Sequence, residues 1–179
     1  MKRTVQLSLL FAGILLVCAA FTVKVGSGSE APGTLTAIGD AGSPNVFTFN
    51  RWSVQKESFD PNSPADMKLI IEIDMTSATT DWKDLEKSIL KKKDYFYIEK
   101  FPKAYVTING ASKIEGNTFT TDAELEIKGK TGTVPLTFSV EGSGPYHIVG
   151  QGEMDRTKFK FKGKGPKDMV PIAFDFMLE

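Results

Sequence analysis

Residues 67–75 read MKLIIEIDM, and their parity decides the fold. Leu69, Ile71, Ile73 and Met75 fall on one side of an extended chain, while Lys68, Glu72 and Asp74 fall on the other, with Ile70 the one exception. A period of two marks a strand with one buried and one solvated face. The same reading repeats downstream. Phe119, Ala123, Leu125 and Ile127 oppose Asp122, Glu124, Glu126 and Lys128, and Leu136 and Phe138 oppose Thr137 and Ser139. Tyr146, Ile148 and Met154 share a parity with Gly150 and Gly152 between them, and Val170, Ile172, Phe174, Phe176 and Leu178 share another. Phe159 and Phe161, interleaved with Lys158, Lys160 and Lys162, read as a further strand. Pro135 has no N–H for a ladder, so an edge or bulge is expected there.

Turn residues punctuate these segments at Asn109-Gly110, Gly116-Asn117, 128–132, 141–145 and 163–166, and connections this short join antiparallel neighbours. Phe47 and Phe49 are followed by Trp52 and Val54 on the opposite parity, which predicts a bulge or bend near Asn50 and Arg51. With Thr34–Ile38 and Tyr105–Ile108 added, the expectation is an all-β, eight-stranded antiparallel up-and-down barrel. One stretch breaks the alternation. Trp82, Leu85 and Ile89 recur at helical spacing, predicting one short helix over about 81–91, with Thr80 or Asp81 as N-cap. The irregular, aromatic stretch 94–102 is expected to close one end of the barrel.

The 179 residues hold 22 basic and 22 acidic side chains, so no net positive field attracts nucleic acid, and none is expected as a partner. A 41% apolar and 25% charged composition is that of a folded globular domain. Lys2 and Arg3 precede the apolar run Val5–Val17 and the small residues Ala19 and Ala20, the pattern of an export signal over 1–20. Residues 21–33 read as a flexible linker and 34–179 as the barrel domain. The product is therefore expected in the bacterial periplasm or outside the cell. Retention of the apolar segment as an N-terminal anchor, or lipidation at Cys18, is the alternative. Cys18 is the sole cysteine, so the folded domain has no disulfide and no thiolate nucleophile.

Catalytic and metal chemistry find little support. His147 is the sole histidine, which starves both a zinc site and a Ser–His–Asp triad of ligands. Asp122, Glu124 and Glu126 alternate on a solvated face. The segment 128–132 lacks full phosphate-loop spacing and lies between strands rather than before a helix. No enzyme activity, no metal and no cofactor are expected.

One stretch resembles a known family. Ile71-Glu72-Ile73-Asp74 leads through the helix into Asp94-Tyr95-Phe96-Tyr97-Ile98-Glu99-Lys100-Phe101-Pro102-Lys103-Ala104, which resembles the signature of the YceI-like family of exported polyisoprenoid-binding proteins. Ala123–Thr131, Val134-Pro135-Leu136 and Met154-Asp155-Arg156-Thr157-Lys158-Phe159 are similar to later family segments, so the likeness covers roughly 47–179. The chain departs from the family pattern at Gly33–Asn45, which holds no histidine, and at Glu124, where a glycine is usual.

The resemblance implies a lipocalin-like barrel that binds, transports or stores an apolar isoprenoid-type lipid, either a polyprenyl lipid or an isoprenoid quinone. Its candidate ligand contacts are Phe47, Phe49, Leu69, Ile71, Ile73, Phe119, Leu125, Leu136, Phe138, Phe159, Phe161 and Phe174 on inward parities, with Tyr95, Phe96 and Phe101 at a mouth. Each of the inward residues reads equally as ordinary core, since eight strands can be packed solid by their own side chains. Lys91, Lys92 and Lys93 suit a membrane surface or a solvated helix end, and a homodimer is a further candidate assembly. The competing reading is a lipid-free structural or protein-interaction barrel that docks a partner on Lys158, Lys160 and Lys162.

Overall fold

The computed structural model describes residues 32–39, 45–162 and 168–179. The expected leader, Cys18, nearly all of the linker and the 163–166 turn lie outside the described residues. Eleven strands form one antiparallel sheet: β1 (Gly33–Ile38), β2 (Val46–Phe49), β3 (Trp52–Ser58), β4 (Lys68–Asp74), β5 (Ala78–Thr79), β6 (Lys103–Asn109), β7 (Ser112–Glu115), β8 (Thr118–Ile127), β9 (Lys130–Glu141), β10 (Tyr146–Asp155) and β11 (Met169–Leu178). Among the described residues one α-helix, α1, spans Lys83–Lys91.

Eleven segments make eight staves, because three long strands are each broken once. β2 and β3 are halves of one stave and β4 and β5 halves of the next: Phe49 pairs Ala78 across β2 and β5, and Trp52 pairs Ile73 across β3 and β4. Between these pairs Asn50-Arg51 faces the tight turn Met75–Ser77, a bulge with two extra residues on one side. β6 and β7 are likewise one stave bent at Gly110-Ala111, since both pair β8. Asn109-Gly110 therefore bends a strand where a hairpin turn was expected. From β1 through β2–β3, β4–β5, β6–β7, β8, β9, β10 and β11, each stave pairs the next, and β11 returns to β1. The ring is the expected up-and-down barrel.

Side chains lace the bulge. Asn50 Nδ2 donates to Ser77 O (2.8 Å) and Thr79 Oγ1 (2.9 Å), the Arg51 N–H donates to Ser77 Oγ (2.9 Å), and Arg51 Nε donates to Asp74 Oδ2 (2.9 Å). Backbone groups that a regular ladder would pair thus find other partners. The two-residue break at Asn50-Arg51 sets Phe49 and Trp52 three positions apart, one parity step, which is why Phe47, Phe49 and Trp52 are all buried.

Asp74 Oδ1 accepts from the Thr76 N–H (2.9 Å) and Thr76 Oγ1 (2.5 Å). β10 ends the same way, where Asp155 Oδ1 accepts from Thr157 N–H (3.0 Å) and Thr157 Oγ1 (2.6 Å). That turn overrides the alternation expected over Lys158–Lys162: Arg156–Phe159 is a 3-10 turn and Lys160 sits at φ 60°. Both Phe159 and Phe161 are buried, through the turn rather than through a strand.

Two further expectations are corrected or sharpened. The helix N-cap is Trp82, without a side-chain cap bond, rather than Thr80 or Asp81; Thr80 is buried and its N–H donates to the Glu86 carboxylate (3.0 Å). Pro135 lies opposite Asp122 of β8, one residue beyond Leu136, where the ladder with β10 stops, so its missing donor interrupts nothing.

Candidate functional site

The barrel is hollow. A cavity of about 440 Å3 runs inside it, with wall residues from all eight staves and from the α1 end. That volume falls within the roughly 300–1,000 Å3 of small-molecule sites. The wall is apolar, and Arg156 is the one charged residue among its described members.

Of the expected contacts, Phe47, Phe49, Leu69, Ile71 and Ile73 line the cavity from the second and third staves, Leu125, Leu136 and Phe138 from β8 and β9, and Phe174 from β11. Tyr95, Phe96 and Phe161 line it near one end. Phe96 caps that end edge-on to Phe47 (5.9 Å, 85°) and Phe161 (5.6 Å, 88°), with Phe49 at 6.3 Å. The stretch 94–102 narrows the barrel there through Tyr95 and Phe96, but its aromatics divide. Tyr97 and Phe101 pack on each other at 6.1 Å with Lys93 and Lys100 over their rings.

Three expected contacts stand off the wall. Phe119 is 1% exposed and stacks on Phe138 (5.6 Å, 24°). Phe159 is fully buried against Gly132, where a Cβ would come within 2.9 Å of its ring. Phe101 packs on the Lys128-Gly129 turn, at 3.1 Å from the place of a Gly129 Cβ. Parity could not separate them, because core and lumen share one inward face.

Many aliphatic wall residues carry only the common inward parity, but two wall residues of distinct chemistry, Trp52 and Arg156, were not among the expected contacts. Trp52 faces inward because of the bulge, and the parity switch at Asn50-Arg51 was its signal. Arg156 follows Asp155 in the turn after β10. Its guanidinium donates to Phe161 O (3.0 Å) and Asp168 Oδ1 (3.3 Å), with its side chain 12% exposed. The cavity wall reaches Trp82, 57% exposed at the start of α1, and Leu85 in its first turn, so this is where the lumen meets the surface. His147 lies elsewhere: its Nε2 pairs Asp175 Oδ1 at 2.7 Å, and neither residue lines the cavity. Among the described residues no group of three His, Cys, Asp or Glu side chains could hold a metal.

Gly150 sets the shape of the lumen. A Cβ there would stand 2.3 Å from Phe174 Cζ and 2.7 Å from Phe138 Cβ, so the Phe174 ring occupies the space that glycine leaves, beside the Phe138 Cβ. Gly150→Val is expected to turn Phe174 into the cavity, costing about 1–3 kcal/mol of stability through overpacking and lowering uptake of an apolar fluorescent probe. A probe titration beside a thermal melt checks both; unchanged uptake would show that Phe174 does not border the space a ligand fills.

Comparison with known proteins agrees with this architecture. BcnA of Burkholderia cenocepacia superposes with a TM-score of 0.73 at 24% identity, over 82% of this chain and 96% of that one. The YCEI protein of Campylobacter jejuni gives 0.65 at 21% identity, over 73% and 82%. A polyisoprenoid binding domain from Saccharophagus degradans, implicated in plant cell wall breakdown, gives 0.58 at 13% identity, over 80% and 90%. In sequence, a UPF0312 protein of Photorhabdus laumondii is 31% identical over 118 residues, 62% of this chain and 60% of that relative's length. A YceI-like domain matches residues 21–178, and with that match over the whole described barrel, the chain belongs to the YceI-like family.

Proposed function

We propose that the protein is a non-enzymatic carrier or store for an isoprenoid-type lipid, a polyprenyl lipid or an isoprenoid quinone, held inside the barrel. The hollow, apolar lumen carries this reading. Apolar surface removed from water is worth about 25 cal/mol per Å2, and each isoprene unit adds about five carbons of such surface, so a chain threaded along this wall is held without directional chemistry. The Saccharophagus degradans domain of the same fold is described as polyisoprenoid-binding, which makes this class of ligand the first to test. A filled interior would have favoured the lipid-free structural or protein-interaction module; a cavity of about 440 Å3 supports the carrier reading instead.

The compartment is the periplasm or the exterior, supported by the export pattern of residues 1–20. The α1 end suits contact with an anionic membrane surface. Lys93 O and Lys160 O share the Lys128 ammonium, which sets the exposed Lys91, Lys92 and Lys93 beside the exposed Lys158, Lys160 and Lys162, and such lysines are attracted to anionic lipid. Native mass spectrometry of the protein purified gently from its own host is expected to show added mass matching a polyprenyl species. A uniformly empty barrel from that source would sink the proposal.

A further inference from the structure

The rim at the α1 end exposes large apolar side chains where the lumen opens. Trp82 borders the cavity and yet stands 57% exposed. Val46 opens β2 opposite Ile38, the last residue of β1, and Met169 opens β11 opposite Asp155, the last residue of β10. Both are exposed as well. Register places them at the same end as Phe96, whose ring meets Phe47, next to Val46, and Phe161, in the segment that follows β10. Among the described residues, three of the six exposed large apolar side chains thus belong to this rim.

Single apolar residues on a surface are ordinary, but their placement around one opening, beside cations, calls for a partner. Lys91, Lys92, Lys93, Lys158, Lys160 and Lys162 are exposed at this end, with Asp81, Asp84, Asp94 and Asp168 among them in smaller number. The balance is reversed at the far rim, where Asp60, Asp66, Glu115 and Glu141 outnumber Lys68 and Lys113. An anionic surface therefore turns the barrel mouth-first. Tryptophan beside lysines is also the combination that settles at a lipid interface, the indole at headgroup level and the ammonium groups among the phosphates.

A ligand held by burial of apolar surface is poorly served by an exit through water, and each isoprene unit raises that cost. We propose that this rim docks on an anionic bilayer and that ligand passes directly between bilayer and lumen past Trp82, with Val46 and Met169 seated in the same lipid interface. This rests on the carrier reading and adds to it the route by which the barrel is filled and emptied.

The test follows NBD-tagged farnesol as it leaves the loaded protein for acceptor vesicles that carry a rhodamine lipid as quencher. With equal parts of phosphatidylglycerol and phosphatidylcholine, the initial rate is expected to climb in proportion to vesicle concentration. It should exceed the rate with phosphatidylcholine alone about tenfold, because each lysine near the surface is drawn to anionic lipid, and about 0.5 M salt should remove the difference. Val46→Ser combined with Met169→Ser is expected to slow transfer several-fold while probe affinity is kept, since neither residue lines the cavity. Docking is read separately: tryptophan emission should shift to the blue on anionic vesicles and be quenched by brominated lipid. The chain holds two tryptophans, and Trp52 is 5% exposed, so that change reports Trp82. A transfer rate independent of vesicle concentration would show that ligand escapes into water first, overturning the route and leaving the carrier reading standing. So would a double variant that transfers as fast as wild type, an emission spectrum that vesicles do not alter, or a rim buried in a dimer of this chain. A protein that takes up no probe would overturn both.

Discussion

Phe119→Ala is expected to lower the unfolding free energy by about 3–5 kcal/mol while the barrel still takes up ligand below its new melting point. Phe119 is 1% exposed, sits opposite Phe138 in the β8–β9 register and stacks on its ring at 5.6 Å. It lies off the cavity wall, so its deletion opens a new void in close-packed core. At about 2–4 °C per kcal/mol for a domain of this size, the thermal midpoint should drop by roughly 6–20 °C. Phe174→Ala is the comparison. That ring already borders the lumen on one side and forfeits fewer contacts, so the smaller loss is expected there. Equal losses in denaturant titrations would show that the division between core and lumen drawn here is wrong.

Lys128→Met should cost about 2–4 kcal/mol, from two backbone carbonyls left without their donor. Lys128 is 5% exposed, at the first position of the two-residue β8–β9 turn. Its ammonium donates to Lys93 O (3.0 Å) and Lys160 O (2.8 Å) and lies 4.6 Å over the Phe161 ring. Burial pushes its pKa below the ordinary lysine value, opposed by Asp94 and reinforced by Lys160 and Lys162. Methionine matches its length and, as another L residue at φ 54°, carries the same backbone strain, so the difference reports the tether alone. Hydrogen exchange should quicken around Lys93–Phe96 and Lys160–Lys162 before the strands respond. A loss under about 0.5 kcal/mol, within the range of ordinary surface changes, would mean that water replaces the ammonium freely and that it ties nothing together.

Both residues illustrate what the sequence made legible. Alternation through 67–75, 119–127 and 170–178 was readable because each stave buries one face against a lumen and shows the other to water. The parity switch between Phe49 and Trp52 announced the bulge for the same reason. Phe119 and Phe138 carry identical signals, however, since whether an inward ring meets protein or empty space depends on the far side of the barrel. Lys128 looked like one more solvated turn lysine, because its partners are backbone carbonyls 35 and 32 residues away, which no side-chain pattern records. The segment 158–162 misled for a local reason. Alternating Phe and Lys imitate a strand, yet the Asp155-Arg156-Thr157 triplet, spaced like Asp74-Met75-Thr76, ends one.

Ring closure has a bearing on survival in solution. A chain so rich in alternating aromatic and aliphatic segments is the raw material of fibrils, and an open sheet edge is where such growth is templated. Here the run from β4 through β6, β8, β9, β10 and β11 to β1 and β2 is paired on both flanks, and among the described strands β3 pairs β4 alone, β5 pairs β2 alone and β7 pairs β8 alone. The free flank of β3 ends in the exposed Lys56 and Glu57, and β7 is four residues long, with Lys113 and Glu115 bracketing its exposed Ile114. Short and charged, these edges offer another chain little to build on.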